Sequence, residues 1–178
     1  ALAVLDASTS GISGRFSSSQ SRHCPIACGG IFNVADGKYP VGETKKPEYE
    51  TIGAFGTMCM CDDFEAIIKL NEMCNRSGLD TISAGTTLAF AMECFENGLL
   101  TSENTGGINL KFGNADGMLK MIELIARREG IGDLLAEGSA RIAEKIGHGS
   151  EKFAVVFVAL IVDDVAVAVG IYAIIRGR

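Results

Sequence analysis

The feature that most restricts how this chain can fold is a run of four amphipathic segments between residues 62 and 147, each opened by a capping residue and closed by a glycine. In "DDFEAIIKLNEMCNRSG", Asp62 can cap, Glu65 follows three positions on, and Gly78 ends the period. Its apolar face is Phe64, Ile67, Ile68, Leu70, Met73 and Cys74. "DTISAGTTLAFAMECFENG" runs from Asp80 as N-cap to Gly98, with Ile82, Ala89, Phe90, Met92, Cys94 and Phe95 mostly inward. "NADGMLKMIELIARREG" takes Asn114 as cap and buries Met118, Leu119, Met121, Ile122 and Ile125, while Arg127 and Arg128 complement the C-terminal dipole before Gly130. "GDLLAEGSARIAEKIG" repeats the pattern from Asp133 to Gly147. Apolar stripes of this kind must be buried against one another, so the pattern predicts a mainly α, multihelical domain, with short irregular or β segments at the N- and C-terminal ends.

Charge and composition narrow the function classes. Sixteen Lys and Arg against 22 Asp and Glu give a net charge of -6 with no basic run, so no nucleic-acid partner is expected. The N-terminus lacks a basic stretch followed by a clean apolar one, so no signal peptide is expected, and residues 1–23 read as a loose Ser/Gly-rich lead. Residues 24–152 then form the helical domain, and residues 153–178 an apolar segment that starts the next structural unit. From Phe153 to Ile175 only Asp163 and Asp164 interrupt the apolar run. Each aspartate would cost about 2.5–3.5 kcal/mol at the centre of a membrane helix, and the β-branched content favours strand, so no membrane span is expected.

Six cysteines, all within the first hundred residues, do not form the pattern of a secreted disulfide framework, and a reducing cytoplasm is expected. "SRHCPIACGG" sets Cys24 and Cys28 four positions apart around Pro25, a spacing that suits two buried thiols at a turn as well as half of a metal site. Cys59 and Cys61 precede a helix start, where a thiolate would be stabilised, but no second pair stands at zinc-like spacing, so they read as loop packing. Cys74 and Cys94 fall on apolar helix faces and read as core.

Two polar stretches are candidates for chemistry. In "KPEYET", residues 46–51, Glu48 and Glu50 point to opposite sides if the segment is extended, so only one can enter a given cleft. Apolar neighbours at Ile52, Ala54 and Phe55 would desolvate such a carboxylate and favour its protonated form. "NRSGLDT", residues 75–81, is a helix end followed by a helix start; such a link can hold a polar heterocycle, and Asp80 in it serves equally as a plain N-cap.

Taken together and in order, "CPIACG", "KPEYETIGAFG", "DDFEAIIKLNEMCNRSGLDTIS", "AFAMECFENGLLT" and "FGNADGMLKMIELIARREGIGDLLAEGSARIAEKIG" make residues 24–150 resemble the aldehyde ferredoxin oxidoreductase family. The resemblance implies the first helical domain of a longer protein. It implies oxidation of aldehydes to carboxylic acids at a tungsten or molybdenum bis-pyranopterin, with electrons passed through a 4Fe-4S cluster to ferredoxin. Carried over by motif, Cys24 and Cys28 match the second and third ligands of a C-x2-C-x3-C cluster site whose first position here is Ser21. Glu50 matches the carboxylate beside the metal, and Asn75, Gly78, Leu79 and Asp80 match the pterin-contact motif. Where some members bridge two subunits through an iron held by a glutamate and a histidine, this chain has Lys69 and Leu119, so a homo-oligomer would form through packing and not through that metal.

Two other readings compete: a non-catalytic helical scaffold without the cluster, and a small metal module that needs Cys24, Cys28, Cys59 and Cys61 to converge. In the leading reading the isolated chain is inactive, because a pterin needs contacts from the remaining domains.

Overall fold

The computed structural model describes residues 12–16 and 29–154. Cys24, Cys28 and Ser21, and the apolar run after Ala154, lie outside the described residues.

An antiparallel sheet in the order β1-β2-β3 opens the described chain: β1 Ile12–Phe16, β2 Gly30–Val34 and β3 Val41–Lys45. Residues 12–16 of the Ser/Gly-rich lead are thus a strand. The register pairs Ile12 with Val34 and Phe16 with Gly30, then Phe32 with Thr44 and Val34 with Val41, with an irregularity between Phe32 and Val34. The β2–β3 hairpin is gripped from both sides by helices. At its turn the Lys38 amide donates to Glu65 Oε2 at 2.8 Å, and a Cβ on Gly37 would collide with that carboxylate. The Tyr39 hydroxyl donates to Asp116 Oδ1 at 2.6 Å, and the Lys38 ammonium reaches Asp116 Oδ2 at 3.0 Å. Those two donors, Tyr39 first, hold the Asp116 carboxyl below its ordinary range.

After the sheet come α1 Tyr49–Ile52, a π-helical turn Gly53–Met58, α2 Phe64–Ser77, α3 Thr81–Glu96, α4 Ala115–Arg127, α5 Ile131–Leu135, α6 Ser139–Ile146 and a 3-10 turn Ser150–Phe153. The molecule is mainly helical, as the periodicity requires. Three predicted details differ. The cap of α2 is Asp63, whose side chain accepts from the Ala66 amide at 3.1 Å; Asp62 is one residue too early, and Glu65 is engaged by Lys38 instead of closing a capping box. The fourth predicted helix is two: α5 stops at Leu135, and Gly138, at φ 85°, caps the start of α6 in a conformation that cannot continue a right-handed helix. Residues 49–51 of "KPEYET", with Ile52, are helical, not extended, so Glu48 caps and Glu50 lies in the first turn.

The core centres on α3. Every residue from Ala84 to Met92 is buried, which a helix tolerates only when neighbours cover all its sides. Those neighbours include the π-helical turn, α1, α2, α4 and α6. Phe55, Ile67, Ile68, Leu70, Leu88, Phe90, Met92, Leu110, Met118, Met121, Ile122 and Leu135 are the largest fully buried side chains among the described residues, each worth about 1.5–3 kcal/mol of burial. Among the described residues no helix is long and apolar enough to cross a membrane.

Candidate functional site

Strand β3 delivers the chain to α1 at a defined place. The buried Asn71 of α2 donates from Nδ2 to the Lys45 carbonyl at 2.9 Å, and the Lys46 amide closes the hairpin onto the Gly30 carbonyl at 2.8 Å. The Lys46 side chain, 17% exposed, folds back so that Nζ lies 3.2 Å from Glu48 Oε2 and 3.3 Å from the Pro47 carbonyl. That pair separates the two glutamates chemically. Glu48 is paired with Lys46, whereas the carboxylate of the half-buried Glu50 makes no hydrogen bond or ion pair among the described residues.

One turn of helix is too short to hold itself, so α1 takes its orientation from what it touches. Thr51 is its buried residue, and Thr51 Oγ1 lies 2.8 Å from Thr81 Oγ1 at the first position of α3. Farther along, the π-helical turn lies directly on α3, where Gly85 allows Ala54 to approach. The two helical segments therefore run side by side from Thr51 and Thr81 onward. Ala54 and Phe55 are buried in this contact and Ile52 is half-buried.

The link from α2 to α3 is the other half of the site. Gly78 takes φ 68° and ends α2 with its amide on the Cys74 carbonyl, and the Leu79 amide reaches the same carbonyl at 2.9 Å. Asp80 caps α3 by accepting from the Ser83 amide at 2.7 Å. Leu79 and Asp80 also line a recess of about 110 Å³, together with Ser83, Thr87, Ile125, Leu135 and Gly138. Of the four residues carried over by motif, these two share the recess. Gly78 shapes the turn, and Asn75 sits exposed on the last turn of α2, outside the recess lining.

Sites that enclose a small molecule run to roughly 300–1,000 Å³, so this recess fits one edge of a heterocycle and leaves the rest to be covered elsewhere. Its polar lining suits such an edge: the Asp80 carboxylate as an acceptor and Ser83 and Thr87 as hydroxyl residues, beside apolar Leu79, Ile125 and Leu135. A metal is a different matter. Among the described residues no group of three or more His, Cys, Asp or Glu side chains could hold one. Cys59 donates to the Gly85 carbonyl at 3.5 Å and Cys61 to the Asp63 carbonyl at 3.9 Å. Burial pushes both thiols up, which reverses the expectation of a stabilised thiolate and agrees with packing. Cys74 and Cys94 are buried as expected, and burial pushes each up to about 12. At Cys74 the charge of Asp80 adds to the effect. Cys24 and Cys28 lie outside the described residues.

Sequence reasoning singled out Glu50 and the Leu79–Asp80 turn as candidates and passed over Thr51, Thr81, Asn71 and Lys46, which the structure places around them. None of these carries a local signal, because each makes its contact with a residue the periodicity does not connect to it or, for Lys46, depends on the helical turn at Tyr49–Ile52.

The chain is 47% identical over 126 residues to a tungsten-containing aldehyde ferredoxin oxidoreductase of Pyrococcus furiosus, covering 70% of this chain and 20% of that protein. It is 36% identical over 125 residues to another protein of that organism, described as an aliphatic sulfonate oxidoreductase, WOR-like subunit, again covering 70% and 20%. Among solved structures, the active site complex BamBC of benzoyl coenzyme A reductase in complex with 1,5 dienoyl-CoA matches with a TM-score of 0.64 at 28% identity, over 79% of this chain and 20% of that one. The chain spans about a fifth of the length of these relatives. The family model described as aldehyde ferredoxin oxidoreductase, domains 2 & 3, matches residues 8–163, and on that match the chain belongs to the aldehyde ferredoxin oxidoreductase family.

Proposed function

We propose that this chain supplies one wall of the active site of an oxidoreductase that oxidises aldehydes to carboxylic acids and passes the electrons to ferredoxin. The observation that carries the reading is the seating of the Glu50 helix on α3 through Thr51 and Thr81, at the same end of α3 as the Leu79–Asp80 recess. Residues 24–152 act as the helical domain, residues 153–178 begin the next unit, and the remaining domains of the parent protein complete the site. The protein works in a reducing cytoplasm, in keeping with the free, buried thiols at 59, 61, 74 and 94.

When bound, a tungsten or molybdenum bis-pyranopterin would accept the two electrons of the aldehyde oxidation and release them through a 4Fe-4S cluster. Leu79 and Asp80 hold one edge of the pterin, Gly78 keeps the turn open to it, and Asn75 offers an amide from the helix end. Glu50 takes a proton from the water whose oxygen becomes the second oxygen of the carboxylic acid. The reaction consumes one aldehyde and one water and yields the acid, two protons and two electrons, so a carboxylate beside the carbonyl carbon has a defined task. Cys24 and Cys28 are two of the cluster ligands. Ser21 at the first ligand position weakens the site, because iron in these clusters prefers thiolate to a hydroxyl oxygen.

The full-length protein, purified anaerobically, tests this reading. Glu50→Gln is expected to lower aldehyde-dependent dye reduction by about 10²-fold or more, while tungsten or molybdenum content stays at the parent level. Unchanged turnover would remove Glu50 from the reaction. A scaffold role is the second reading, favoured by Ser21 at the first ligand position of the cluster motif. A full-length protein free of tungsten, molybdenum and iron would establish it.

A further inference from the structure

We infer that Thr51 and Thr81 act as a positioning pair, a hydroxyl clasp that aims Glu50 at whatever occupies the space beside the Leu79–Asp80 turn. The inference rests on the reading of Glu50 as the proton acceptor and extends it to two residues that nothing else assigns.

Three observations support it. First, α1 is four residues long, its cap Glu48 makes no side-chain capping bond, and Tyr49 is 62% exposed, so its own length does not hold it and it is placed by its half-buried Ile52, by its continuation into the buried π-helical turn and by Thr51. Second, its one buried residue is polar. Thr51 is 4% exposed and its hydroxyl meets Thr81 Oγ1 at 2.8 Å, thirty residues away in the chain. Third, each partner directly follows a candidate site residue: Thr51 follows Glu50, and Thr81 follows Asp80. On the α3 side the frame is rigid, because Asp80 is held by the Ser83 amide at 2.7 Å and the Ala84 amide bonds the Asp80 carbonyl at 2.9 Å.

Neighbouring side chains on a helix turn together, so locking Thr51 also locks the direction of Glu50. A proton acceptor that swings by about 1 Å can lose about 10²-fold in rate, which gives the clasp a kinetic consequence beyond its modest share of stability. A valine in place of Thr51 keeps the shape and burial and removes only the hydroxyl. A serine keeps the hydroxyl and removes a methyl.

The test uses the full-length protein with Thr51→Val, Thr51→Ser, Thr81→Val and the double valine variant. Two readouts are taken: aldehyde oxidation as a function of pH, and amide hydrogen exchange of residues 49–52 before any cofactor is loaded. The clasp predicts about 10- to 100-fold lower kcat for either valine variant at unchanged metal content, with faster exchange in residues 49–52. Thr51→Ser should stay within about 3-fold of the parent, and the double variant should be no worse than the poorer single one, since both remove the same bond. Faster exchange with unchanged kinetics would reduce the clasp to a structural contact and overturn the proposal, as would unchanged exchange in both valine variants. Should Thr51→Val fail to fold, the half-exposed Thr81 carries the test through Thr81→Val. Glu50→Gln separates the two ideas: if it leaves turnover intact the Glu50 reading fails, whereas loss in Glu50→Gln without loss in either valine variant sinks only the clasp.

Discussion

Gly85 faces Ala54 so closely that a Cβ built on Gly85 would lie 2.6 Å from the Cβ of Ala54 and 2.9 Å from its carbonyl carbon. Glycine in mid-helix costs α3 up to about 1 kcal/mol relative to alanine. The position is kept small because the π-helical turn must lie flat on α3 for α1 to reach Thr81. The contacting atoms are backbone and Cβ, which have no rotamer to escape into.

Gly85→Ala is therefore expected to destabilise despite its better helix propensity, by about 1–2 kcal/mol net from overpacking. Urea unfolding of the full-length protein measures it. Gly42→Ala is the control, since nothing lies within 4 Å of a Cβ there and stability should move by less than about 0.5 kcal/mol. A Gly85→Ala protein as stable as the parent would mean that α1 and α3 are less tightly seated than described.

Asn71 donates to the Lys45 carbonyl from a site that is 4% exposed, so its loss leaves a backbone acceptor without its partner. Asn71→Ala should cost about 1–3 kcal/mol. Asn71→Asp should cost more, because it sets a second acceptor against the carbonyl. The order of the two unfolding midpoints is the check, and an Asp variant as stable as the Ala variant would contradict the bond.

The four described thiols should be silent in the native protein. Burial raises Cys59, Cys61, Cys74 and Cys94 above their ordinary 9.0, so alkylation near neutral pH is expected to mark none of these four until denaturant is added, as read by peptide mass spectrometry. The sign with pH follows. A raised folded-state value means the native protein holds its protons more tightly, so this contribution is complete below pH 9.0 and is lost as pH climbs toward about 12. A series of unfolding midpoints should fall through that window, and a Cys74→Ala, Cys94→Ala variant should fall less steeply.

For the cysteine pair at the start of the chain, Cys24→Ser in the full-length protein should remove the visible iron-sulfur absorption and lower iron content, while far-ultraviolet circular dichroism stays near that of the parent. Survival of both the iron and the absorption would make "CPIAC" a turn of packed thiols.

Local chemistry alone determined the helical character of residues 62–147. Asp80 and Asn114 cap α3 and α4 as predicted, and the apolar periods of α2 and α4 are mostly the buried faces, because caps and stripes are decided by residues within a few positions of one another, whereas α3 is buried all round from Ala84 to Met92. The link at Gly78, Leu79 and Asp80 was legible for the same reason. Tertiary structure decided what depends on distant partners. Glu65 abandons the capping box because the hairpin turn at Lys38 claims it, and the segment at Tyr49–Ile52 is helical because it is seated on α3. Lys46 pairs with Glu48 and not with Glu50, because its side chain folds back over the Pro47 carbonyl. The seating of the site through Thr51 and Thr81 joins residues thirty positions apart, and no periodicity reports such a pair; only packing α3 at the centre brings its first turn to the end of a helix too short to stand alone.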